Sequence, residues 1–173
     1  VAVVLELGIP DDQIVTGFER FEGVKRRFTK VGEVHGATII DDYAHHPTEI
    51  LATLSAAKNG AGGRRTVVAF QPHRFTRTQE LMDEFALAFN NADVLYVLDI
   101  YAASEDPIPG ITAEVLTENI RRYGHKNAKY VGDIETAADR IAPDLREGDL
   151  VITLGAGNVT RLSDELMEKI KSM

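Results

Sequence analysis

Along the chain the spacing of hydrophobic positions switches repeatedly between two periods, dividing it into alternating strands and helices. Thr66-Val67-Val68-Ala69-Phe70, Val94 to Leu98 and Leu150-Val151-Ile152-Thr153-Leu154 are apolar runs too short for helices. Such runs suit strands buried on both faces. Ala128 to Val131 reads as a shorter strand. Between the runs, apolar residues recur at helical spacing: Ile50, Leu51, Leu54 and Ala57, then Gln79 to Phe89, Ala113 to Tyr123, Ile134 to Ala142 closed by Pro143, and about Val159 to Lys171. Asn59-Gly60-Ala61-Gly62-Gly63 ends the first of these helices. Strands alternating with helices, without hairpin turns, predict parallel pairing through right-handed crossovers. The fold class is therefore α/β, with three layers and a mostly parallel, Rossmann-like sheet.

The first quarter follows another pattern. Phe28 to Val34 and Ala37 to Ile40 suit strands, and His35-Gly36 between them suits a tight turn, so an antiparallel N-terminal strand is expected. Ile14, Val15, Phe18 and Phe21 have helical spacing, as in a linker helix over Ile14 to Glu22. Val1 to Leu7 is apolar and is ended by Gly8-Ile9-Pro10. It reads as the last turns of something longer, which makes 1–23 the end of a preceding domain with its linker and 24–173 the domain proper. The alternative is a terminal helix packed on this same domain.

A length of 173 residues with 44% hydrophobic content fits one core, with room for an appendage. Cysteine is absent, which excludes disulfides, thiolate metal sites and a cysteine nucleophile. A formal net charge of −8 argues against a nucleic-acid partner, which would call for a clustered basic face. No apolar run approaches the roughly 20 residues that span a bilayer, so no membrane contact is expected and the location is taken as cytoplasmic.

Four predicted strand ends carry polar clusters: Asp41 to His46, Gln71 to Thr78, Asp99 to Glu105, and Gly155-Ala156-Gly157-Asn158. Parallel strands deliver their carboxyl ends to one edge, so the four should line one rim, where α/β folds bind ligands. In the first cluster Pro47 suits the first helical position and Glu49 can reach back to the cap. Asp41 and Asp42 are adjacent in a strand and point to opposite faces, so only one can meet a ligand, where a carboxylate suits a ribose diol. Tyr43 offers a ring to a base. Arg74 and Arg77 stand three apart at a helix start, where cations oppose the dipole and need an anion. His45 and His46, with His73, raise the question of a metal, but adjacent histidines seldom share one ion and no zinc motif accompanies them. No metal site is assigned. Gly155-Ala156-Gly157-Asn158 lacks the third glycine of a dinucleotide fingerprint, since position 160 is Thr160, and suits a close strand-to-helix turn.

Asp-Asp-Tyr-Ala-His-His-Pro-Thr-Glu-Ile at 41–50, Phe-Gln-Pro-His-Arg-Phe-Thr-Arg-Thr at 70–78, Gly-Val-Lys-Arg-Arg-Phe at 23–28 and Gly-Ala-Gly-Asn at 155–158 together resemble the Mur ligase family. The resemblance covers essentially the whole chain, but only as the third domain of a three-domain enzyme plus the end of the central one. No Gly-x-x-Gly-Lys-Thr phosphate loop occurs. Within the family the chain resembles the ligases that join L-alanine to UDP-N-acetylmuramate in peptidoglycan synthesis; those that recycle a whole tripeptide share less of the second block. The resemblance implies ATP and Mg2+, bound mainly by the central domain, phosphorylation of the muramoyl carboxylate, and attack on the acyl phosphate by the amine of L-alanine. It further implies that Arg27 reaches the ATP phosphates, Asp42 the ribose and Tyr43 the nucleoside. His45, His73, Arg74 and Arg77 would face the muramoyl or alanine side, with Arg27 and His45 as the catalytic residues. Its expected partners are those substrates and the other two domains, without which the fragment folds but is inert. Two other readings remain open: a receiver-like module using Asp99, and a metal hydrolase using His45, His46 and His73.

Overall fold

The computed structural model describes residues 2–20, 24–60 and 62–172. Expectations placed on Val1, Phe21, Glu22, Gly23 and Ala61 fall outside these residues, as does the 23/24 boundary. Two short helices come first, α1 (Ala2–Glu6) and α2 (Asp11–Glu19). The hairpin follows, β1 (Thr29–Val34) and β2 (Ala37–Asp42), then α3 (Pro47–Gly60), β3 (Thr66–Phe70), α4 (Phe75–Glu80) and α5 (Met82–Ala88). The remainder is β4 (Val94–Leu98), α6 (Ala113–Arg122), β5 (Ala128–Gly132), α7 (Ile134–Ile141), a 3-10 turn at Ala142–Asp144, β6 (Leu150–Leu154) and α8 (Thr160–Lys171).

The six strands form one sheet in the order β1-β2-β6-β3-β4-β5, with only β1–β2 antiparallel. His35 and Gly36 both have positive φ, 45° and 75°, the backbone of a tight hairpin turn whose twist matches the strands it joins. Strand alternation separates two cores. Ile40, Val68, Phe70, Leu95, Val97 and Ile152 pack against α3, α5 and α6. Ile39, Val67, Ala69, Tyr96, Leu98 and Val151 pack on the other face against α7 and α8. β6, apolar but for Thr153 and buried at every residue, lies between β2 and β3. There it levels the carboxyl ends, for Asp42 and Phe70 both pair with Leu154.

One expected helix differs. Instead of a single helix over Gln79 to Phe89, α4 begins at Phe75 and gives way to α5 at Leu81, where φ is −113° and ψ 24°. The Thr78 hydroxyl donates to Arg74 O at 2.8 Å, a back-bond that bends helices. Leu81 and Met82 then turn onto the core, and Phe85 and Phe89 close on Phe70 with ring centroids 5.6 and 5.0 Å from it. Among the described residues α2 buries no side chain, and Val15 and Phe18 are exposed.

Candidate functional site

The loops after β2, β3, β4 and β6 meet at one rim, and side chains connect them. Asp41 and Asp42 do point to opposite faces, yet both are buried and bonded within the chain. Asp41, on the α8 side, accepts from Arg26 Nε at 3.0 Å, Thr153 Oγ1 at 2.8 Å and Thr160 Oγ1 at 3.0 Å. Asp42, on the α3 side, accepts from Ala44 N at 2.7 Å and Phe28 N at 2.8 Å, one amide on each carboxylate oxygen. A carboxylate has about four acceptor positions, so Asp42 keeps acceptor capacity. It lines a recess of about 400 Å3 with Arg27, Phe28, Ala44, Glu49, Ala52, Thr53 and Ala56.

Arg26 and Arg27 diverge. Arg27 is exposed at the recess mouth. Arg26 turns inward: besides Asp41 it donates from Nη2 to Gly155 O at 2.6 Å, and its guanidinium lies 5.0 Å from the Tyr43 ring centroid. Positive φ at Arg26 and Phe28, 57° and 51°, allows this segment to clasp the β2 end. Sequence reading missed the strap because the two arginines are adjacent and chemically alike.

Glu49 sits at the third position of α3 and accepts from His45 N at 3.0 Å and His46 N at 3.2 Å, closing a capping box. Burial works against its ionisation, but those two amides, the His45 ring and Arg27 outweigh it and leave its pKa below the ordinary value. His46 is turned to the helix start, its Nδ1 accepting from Thr48 N at 3.4 Å.

From Tyr43 a row of rings crosses three strand ends. Tyr43 meets His45 edge-on at 5.1 Å, His45 meets His73 at 5.8 Å, and His73 stacks on Tyr101 at 5.4 Å with 20° between planes. The two imidazoles are held as opposite tautomers. His45 Nδ1 is 3.0 Å from the Tyr43 carbonyl and 3.4 Å from Glu49 Oε2, both of which only accept, so in the neutral ring Nδ1 carries the proton and Nε2 is the acceptor. His73 Nδ1 is 3.3 Å from Arg77 Nη1, which only donates, so its proton is on Nε2. Burial, then Arg77, His45 and Arg74, hold the His73 pKa below its ordinary value, with Glu105 opposing. At neutral pH His73 is an uncharged donor.

The anion needed at the start of α4 lies inside the chain. Glu105, from the β4–α6 loop, accepts from Thr76 N at 3.0 Å and Thr76 Oγ1 at 2.7 Å, with Arg74 Nη1 3.9 Å away. Arg74 is the helix cap, at φ 75°, while Arg77 turns to His73. The two arginines thus have different partners within the chain. Their i,i+3 spacing gave no sign of Glu105, which lies 29 residues beyond Thr76. Gly155 and Gly157 complete the rim because neither has room for a side chain. A Cβ on Gly155 would sit 2.8 Å from Gln71 O, and one on Gly157 2.5 Å from Gln71 Oε1. Among the described residues no group of three or more His, Asp or Glu could hold a metal ion, and no helix is long and apolar enough to cross a membrane.

Residues 26–157 match the family described as Mur ligase, glutamate ligase domain. The chain is 53% identical over 169 residues to the UDP-N-acetylmuramate--L-alanine ligase of Trichlorobacter lovleyi, covering 98% of this chain and 37% of that protein. It is 51% identical to the enzyme of the same name from Solibacter usitatus, covering 99% of this chain and 36% of the relative. The crystal structure of the UDP-N-acetylmuramate-alanine ligase of Thermotoga maritima superposes with a TM-score of 0.82 at 28% identity, over 99% of this chain and 36% of that one. The chain therefore spans little more than a third of the length of the relatives it matches.

Proposed function

The chain belongs to the Mur ligase family, and from that premise we propose that it is the carboxyl-terminal domain of an ATP-dependent ligase joining L-alanine to UDP-N-acetylmuramate. On this reading residues 24–173 are that domain and 1–23 the end of the central domain with its linker. ATP phosphorylates the muramoyl carboxylate, and the alanine amine attacks the acyl carbon. The C–N bond forms, the bond from carbon to the phosphate oxygen breaks, and inorganic phosphate leaves. An ammonium must lose a proton before it can attack, and a carboxylate must be held meanwhile.

The placement of His45 Nδ1 against the Tyr43 carbonyl and of His73 Nδ1 against Arg77 is the observation that carries the proposal. His45 Nε2 offers a lone pair to the departing proton, while His73 Nε2–H, Arg77 and Arg74 offer donors to an anion of the alanine or muramoyl group. Arg27, at the mouth of the recess, reaches the ATP phosphates. Asp42 has acceptor capacity left for a ribose, and Tyr43 presents a half-exposed ring to the nucleoside. The buried Asp41 and the doubly bonded Asp42 are poor Mg2+ ligands, so the rest of the polypeptide supplies that site and no step here runs through the metal.

ADP release separates this reading from a free-standing activity. The whole ligase should release ADP only when UDP-N-acetylmuramate and L-alanine are both present, and the 173-residue chain should release none. Turnover of ATP by the chain alone would overturn the assignment.

A further inference from the structure

His73 is held from outside its own loop. It forms an isolated parallel bridge with Tyr101, in which Tyr101 N donates to Pro72 O at 2.8 Å and Arg74 N donates to Tyr101 O at 2.8 Å. This carries the β3–β4 pairing past both strand ends and fixes the two backbones to each other. The side chains repeat the contact, with rings stacked at 5.4 Å. A third loop braces the stack from β6: a Cβ on Gly157 would stand 2.7 Å from Tyr101 Cγ and 3.0 Å from Tyr101 Cβ. Glycine there leaves the space that the aromatic ring fills.

We propose that Tyr101 is a positioning residue, its ring wedged against Gly157 and stacked on His73 so that the imidazole stays against Arg77 and beside His45. It acts through His73 and needs no contact with substrate. Its value to catalysis rests on the reading of this rim as the amino-acid side of a ligase. Its effect on His73 does not. The groups facing His73 are Arg77 and Arg74 from the α4 end, His45 from the β2–α3 loop, and Glu105 and Tyr101 from the β4–α6 loop. Burial is the largest cause holding the imidazole neutral. Removing the stacked ring admits water and relaxes that restraint, so His73 should take up a proton at higher pH. Stacking uses the ring and not the hydroxyl, so phenylalanine should preserve it.

The test follows the His73 ring resonances by NMR through a pH titration of the 173-residue chain, with His73→Gln giving the assignment. Wild type and Tyr101→Phe should titrate together, and Tyr101→Ala should titrate higher, toward the ordinary histidine value. If the alanine variant does not fold, Tyr101→Leu, which keeps apolar bulk against Gly157 but uncovers part of the imidazole face, should show a smaller shift in the same upward direction. An unmoved His73 in either folded variant overturns the proposal. In the whole ligase Tyr101→Ala should raise the KM for L-alanine about tenfold with the KM for ATP unchanged, and Tyr101→Phe should restore it. A shifted His73 in a protein whose wild type shows no alanine-dependent ADP release would refute the ligase reading and leave the positioning role intact. An active ligase with an unmoved His73 would do the reverse.

Discussion

Asp42 carries two duties that pull its mutational signature in two directions. As proposed it meets a ribose, but its carboxylate also holds the amides of Ala44 and Phe28. Asp42→Ala should therefore destabilise the 173-residue chain by about 1 to 3 kcal/mol, the cost of leaving buried donors unpaired. The shift in urea midpoint would measure it. In the whole ligase the same change should raise the KM for ATP more than that for alanine. A normal midpoint with a raised ATP KM would leave only the ligand role. Individual residues were legible in sequence where chemistry and position coincide: Glu49 three residues into a helix, or His45 and His73 at strand ends. Arg26, Tyr101 and Glu105 were not, because each acquires its partner through a contact between separate loops.

Among the elements, the β6–α8 turn fixes the rim most directly, since it runs against the β3 and β4 loops with no spare volume. Gly157→Ala would put a methyl group onto Gln71 Oε1 and Tyr101 Cγ. Overpacking of this kind costs about 1 to 3 kcal/mol, readable in thermal unfolding. The displaced Tyr101 should also move the His73 titration in the direction expected for Tyr101→Ala. A variant as stable as wild type with an unmoved His73 would mean that the turn has slack. Strands β3, β4 and β6 were legible to the residue because apolar runs between turn residues admit one assignment. The break at Leu81 was hidden, since neither proline nor glycine marks it and its cause is a Thr78 back-bond with core packing. That the last strand pairs between β2 and β3 follows from no local signal, although the unbroken apolar face of β6 suits a central place.

On the scale of the whole molecule, a parallel sheet covered on both faces gives the domain its own core, and one buried imidazole gives its stability a pH dependence. His125 is buried and donates from Nε2 to Ala92 O at 3.0 Å, while Nδ1 has no partner among the described residues. Burial lowers its pKa, against the opposing pull of the Ala92 carbonyl, its own backbone and Asp93. The unfolded chain thus binds the proton more readily than the folded one. Stability is full above the unfolded value of about 6.5 and falls as pH drops from there toward the lowered folded value. His125→Gln should flatten the decline in melting temperature between about pH 7.5 and about pH 5.5. An unchanged slope would assign the decline to other groups. The central claim, that this rim is the amino-acid side of a ligase, is tested most directly by Arg77→Lys in the whole enzyme. Lysine keeps the charge but loses the planar donor fork that fixes His73 Nδ1 and can grip a carboxylate. Steady-state ADP release should show a weakened dependence on L-alanine or UDP-N-acetylmuramate, with the ATP dependence and the melting temperature nearly unchanged. Full activity of Arg77→Lys at limiting concentrations of both substrates would contradict the account.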